Sequence, residues 1–151
     1  MSKWLGSQQA RSAGFSLVEL MVVVVIASVL IAIAIPTYID KVRKSRRTEA
    51  KTVLLDLAGR EERFFNTSNT YSSLPSDLGY GAVAAVFPMT VGSGYYTVNV
   101  VSAAAAGAVP ASYTITATPL GDQLKDAQCQ LFQLTNTGVQ TSAPNTTVCW
   151  Q

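Results

Sequence analysis

The sequence predicts an α+β chain, with one long N-terminal helix, apolar in its first half and amphipathic in its second, packed on a four-stranded antiparallel sheet. Three observations carry that expectation. Phe15–Ile35 is apolar except for Ser16, Glu19 and Ser28. Beyond Pro36, Ala50, Val53, Leu54, Leu57, Ala58, Phe64 and Phe65 recur at spacings that suit one helical face. From Tyr95 onward, short alternating segments replace that period.

The apolar run Phe15–Ile35 contains Val22–Ile26, all β-branched, which alone would fit a buried strand. Length decides against it: strands seldom exceed about 10 residues, whereas a helix needs about 20 apolar residues to cross a bilayer. Pro36 follows and predicts a kink, since proline removes a backbone donor. Helical periodicity then returns, with Lys51, Asp56, Arg60, Glu61 and Arg63 between the apolar positions and assigned to the solvent face. Gly59 weakens this stretch by about 1 kcal/mol relative to alanine. The expectation is one helix from about Ser16 to Phe65, roughly 75 Å long at the usual rise.

From Asn66 to Gly94 the chain is dense in Gly, Pro and Ser and reads as loop. Tyr95–Val101, Ser112–Thr118 and Gln128–Leu134 follow as strand candidates. Asn136-Thr-Gly138 reads as a hairpin turn into a short fourth strand at Val139–Thr141. One face of such a sheet, laid on the amphipathic half of the helix, would cover both apolar surfaces. The expected divisions are 1–14, 15–36, 37–65 and 66–151.

Charge is unevenly placed. Residues 1–65 hold ten of the eleven Lys/Arg, whereas 66–151 hold Lys125 against Asp77, Asp122 and Asp126. A body carrying so little charge suits assembly with copies of itself. The basic stretch Asp40-Lys-Val-Arg-Lys-Ser-Arg-Arg47 fits a solvated helical face or contact with lipid phosphates. Cys129 and Cys149 read as one disulfide, the alternative being two buried thiols. Bonded, they would close a 21-residue loop, with an expected stabilisation of roughly 3 kcal/mol. With no histidine and no further cysteine, neither a metal site nor a cofactor is expected, and no Ser-His-Asp set or phosphate loop supports an enzyme.

Residues 1–14 are basic and free of acids, like the front of a targeting peptide. Gly14-Phe-Ser-Leu-Val-Glu-Leu20, leading directly into the apolar run, resembles the prepilin signature of type IV pilins. The stretch Ala50–Phe65, with Tyr71 and Leu78-Gly-Tyr80, resembles PilE-type minor pilins. The resemblance implies the type IV pilin fold and cutting at Gly14–Phe15 by a prepilin peptidase, with N-methylation of Phe15. It also implies a single-pass stage in the bacterial inner membrane with a periplasmic head, then an extracellular pilus of pilin subunits serving adhesion and twitching motility. Major pilin, secretion-system pseudopilin and DNA-uptake (competence) pilin are the alternatives.

Glu19 has two readings. Ser16-Leu-Val-Glu19 fits a capping box, but an acid in a membrane span calls for a partner. The Phe15 amine of a neighbouring subunit would supply one and set the axial register. The positive-inside rule points the other way on topology, because Lys41, Arg43, Lys44, Arg46 and Arg47 outnumber Lys3 and Arg11. The resemblance and the cysteine pair favour an exported head. Ala32-Ile-Ala34 also fits a signal-peptidase site and hence a secreted soluble protein, against which Glu19 and the helix beyond Pro36 both count. DNA capture ranks low by charge, since duplex binding needs several cations and residues 66–151 carry one; loop aromatics stacking on single strands remain as a route.

Overall fold

The structure is a computed structural model that describes residues 14–81 and 84–151. Apart from Gly14, the leader segment lies outside the described residues. Two compact units divide between Ile39 and Asp40. Helix α1, Leu17–Ser68, runs through both.

In the first unit, Ser16 accepts from the Leu20 N–H at 3.1 Å as the helix begins. The helix continues through Pro36, while Thr37 Oγ1 donates to the Ile33 carbonyl at 3.0 Å. Every side chain described here is exposed, and α1 is long and apolar enough to cross a membrane, with a mean hydropathy of 3.0 in its most apolar window.

The second unit, Asp40–Gln151, is the head. Here α1 buries Ala50, Leu54, Leu57 and Glu61, a stripe at helical spacing. Glu61 corrects the sequence expectation of an exposed acid, because the same stripe that buries three apolar residues carries it inward. The helix ends at Ser68, three residues beyond the expected Phe65. Asn69 takes a left-handed φ of 53° and donates its N–H to the Phe65 carbonyl, which closes the last turn.

The sheet has five strands, not the expected four: β1 Met89–Val91, β2 Tyr96–Ala103, β3 Ser112–Pro119, β4 Cys129–Thr135 and β5 Gln140–Pro144. They form an antiparallel meander in chain order. The addition is β1, three residues between Pro88 and Gly92, too short to show alternation. Tyr96, Val98 and Val100 of β2 and Tyr113, Ile115 and Ala117 of β3 face the helix stripe and form the core with it. Along β4 the buried positions shift from Cys129 to Phe132 and Leu134, because a register shift between Cys129 and Leu131 changes which face the chain presents. The expected turn at Asn136-Thr-Gly138 joins β4 to β5, with Gly138 at a φ of 75°. Cys129 and Cys149 form the expected disulfide, which holds the short helix α2, Thr146–Trp150, beside β4.

Candidate functional site

At the start of α1 the acid singled out by its sequence position stands alone. Glu19 lies in the first turn and is exposed. Among the described residues its side chain has no hydrogen-bond or ion-pair partner. Phe15 is 78% exposed. Within one copy of the chain, neither residue is buried.

Where α1 enters the head, its cations are sorted into spent and unspent. Arg47 reaches across to the segment before β4, and its Nε and Nη2 donate to Asp126 Oδ2 and Oδ1, both at 2.6 Å. Asp126 is 2% exposed and also accepts from Gln123 Nε2 and the Gln128 N–H. Arg46 lies over the Tyr95 ring at 3.3 Å from its centre. Glu49 accepts from Ser93 N–H and Oγ, which ties the β1–β2 turn to the helix. Gly92 in that turn has a φ of 55°, and a side chain there would meet the Glu49 carboxylate. No local pattern in the sequence announces partners 44 to 79 positions away.

Lys41 has no partner among the described residues, and Arg43 and Lys44 are also left over. Arg43 approaches only Asp40, at 3.8 Å, beyond hydrogen-bond range. Both line a cleft of about 310 Å³ together with Arg47, Lys125, Asp126 and Gln128.

Farther along α1, Glu61 is fully buried and holds the loop after the helix. Its Oε2 accepts the Ser72 N–H at 3.1 Å, while Oε1 has no partner among the described residues. Ser72 Oγ in turn donates to Asp77 and accepts the Leu74 N–H. Burial pushes the Glu61 carboxyl up to about 7; the Ser72 bond opposes this, and the charges of Glu62 and Asp77 add to it. A carboxyl raised in this way supplies stability that is whole below its ordinary 4.5 and is lost as pH rises through about 7. Glu61→Gln, which mimics the neutral acid, is therefore expected to melt like wild type near pH 5 and to be more stable near pH 8 by about 2–3 kcal/mol. Thermal unfolding at the two pH values checks this, and the chain has no histidine to titrate between them.

The comparisons bear on both halves of the chain. The family described as "Type IV minor pilin ComP, DNA uptake sequence receptor" matches residues 36–133. The prokaryotic N-terminal methylation motif matches residues 9–35. The type IV major pilin protein PilA of Myxococcus xanthus is 41% identical over 70 residues, covering 46% of this chain and 32% of that protein. The fimbrial protein EcpC of Eikenella corrodens is 34% identical over 96 residues, covering 64% of this chain and 58% of that protein. The chain thus spans about a third of one curated relative and rather over half of the other. A solved type IV pilin from Shewanella oneidensis is similar at a TM-score of 0.46 and 21% identity, over 69% of this chain and 96% of that one. Pilins are structural proteins and not enzymes. With one profile over most of the head and the methylation motif over the start of the apolar helix, the chain belongs to the type IV pilins, in the ComP-like minor pilin family.

Proposed function

We propose that this chain is a minor subunit of a type IV pilus whose head captures DNA for uptake. The observation that carries the reading is the match of residues 36–133 to a family described as a DNA uptake sequence receptor. Residues 66–151 alone offer duplex DNA one cation, Lys125. The head begins at Asp40, however, and so includes the basic part of α1, with nine Lys/Arg against eight Asp/Glu. Lys41, Lys44, Arg63 and Lys125 are its exposed cations among the described residues.

Full-length chain in detergent should bind duplex DNA with a salt slope no steeper than about 4, since each phosphate contact contributes about 0.9. Cells lacking the gene should keep their pili and lose DNA uptake. Lost twitching or adhesion with unchanged DNA binding would instead favour a purely structural minor pilin.

The path to the fibre in this reading begins with the leader cut at Gly14–Phe15 and Phe15 methylated, and passes through a single-pass stage in the inner membrane, with the head periplasmic. Intact-mass and N-terminal analysis of membrane-derived protein should find methylated Phe15 as the first residue. A start at Ile35, or an uncut Met1 in a host with an active pilus system, would overturn the path. A bulky residue at Gly14 should leave precursor in the membrane.

A further inference from the structure

We propose that the cleft between α1 and the segment before β4 binds the phosphate of an anionic lipid headgroup while the subunit waits in the membrane; this rests on the membrane stage proposed above. Four cations, Arg43, Lys44, Arg47 and Lys125, line the cleft against two carboxylates, Asp40 and Asp126.

The carboxylates do not use up the donors. Asp126 is taken by Arg47, and Lys125 donates to Asp122 outside the cleft at 2.9 Å. Asp40 comes only within 3.8 Å of Arg43, which leaves the Arg43 guanidinium, the Lys44 ammonium and the Gln128 amide nitrogen without hydrogen-bond partners among the described residues. The Gln128 side chain is oriented by its own Oε1, which accepts from Arg47 Nη2 at 3.3 Å. The Arg47–Asp126 pair therefore closes one side of the cleft, whose lining also holds a guanidinium, an ammonium and an amide. A planar guanidinium with an ammonium nearby is the donor set that a phosphate takes. The volume, 310 Å³, lies at the lower end of small-molecule sites, which run from about 300 to 1,000 Å³.

Sequence position selects the source of that phosphate. Arg43 and Lys44 come eight and nine residues after Ile35, the last residue of the apolar run. A basic cluster that close to a membrane span lies within reach of headgroup phosphates, on whichever side of the bilayer it emerges. A duplex would have to reach the same interval, so DNA is the alternative that the test must separate.

The test uses the full-length chain in liposomes of phosphatidylglycerol and phosphatidylethanolamine, read by flotation and by native mass spectrometry of lipid retained on release. Wild type should float and retain phosphatidylglycerol in preference. Arg43→Gln with Lys44→Gln leaves the Arg47–Asp126 wall intact and should float equally but retain roughly tenfold less phosphatidylglycerol. Lys51→Gln with Arg63→Gln, the same change in charge outside the cleft, should retain it like wild type. Equal retention by the two double variants overturns the proposal while leaving the membrane stage standing. Failure of wild type to float removes both. A 20-base-pair duplex titrated onto the detergent-held chain is the second arm: loss of duplex binding specific to the cleft variant, with lipid retention unchanged, would make the cleft a DNA contact. Inorganic phosphate that displaces the lipid at comparable concentration would make it a site for the free anion. Either result overturns the lipid assignment.

Discussion

Replacing Arg47 by methionine is expected to lower the stability of the head by about 3–5 kcal/mol, the usual cost of breaking a buried ion pair from one side. Asp126 is 2% exposed, and without the guanidinium it keeps only the amide donors of Gln123 and Gln128. A loss of that size corresponds to a melting temperature lower by on the order of 10–20 °C for a unit of this length. Arg47→Met combined with Asp126→Leu should recover most of the stability, because two apolar residues leave no buried charge behind. Thermal unfolding of the three proteins decides the matter. A single-variant loss below about 1 kcal/mol would mean that the pair is effectively a surface contact.

Glu19→Ala should separate anchoring from assembly. Removing a charge from the apolar run leaves membrane insertion unchanged or slightly improved. Under the proposed pairing of Glu19 with a neighbour's Phe15 amine, the variant is still cut and inserted but enters fibres roughly a hundredfold less well, the equivalent of about 3 kcal/mol or more. A carboxylate that merely capped its own helix would cost about 1 kcal/mol and leave incorporation near normal. Within one chain Glu19 is exposed. The ratio of variant to wild-type subunit in sheared fibres, at equal membrane pools, is the measurement. Equal incorporation would remove the pairing.

What could be read in advance was local. The helix, the turn at Asn136-Thr-Gly138 and the cysteine pair each rest on a pattern contained within a short stretch of chain. So does the signature around Gly14 and Glu19, which the methylation-motif match covers. What escaped depends on distant partners. β1 has three residues and takes its identity from pairing with β2. The shift of face along β4 follows from a register slip against β5 that no count of alternation reveals. Glu61 read as polar and therefore outward, yet its position on the stripe of Ala50, Leu54 and Leu57 decided its burial. Arg47 looked like one of five juxtamembrane cations until Asp126 arrived beside it from 79 positions away.

The order of the strands has a consequence for how copies of this chain can join. An open meander exposes two rims, and rims are where sheets recruit one another into unintended stacks. Here one rim is β1, with only three residues to offer. The other is β5, which ends in a proline and whose Thr141 carbonyl already accepts from Trp150 and whose Ser142 N–H already donates to Thr146. Neither rim presents a run of vacant backbone groups to a second molecule. Polymer growth by strand addition is thereby discouraged at both ends.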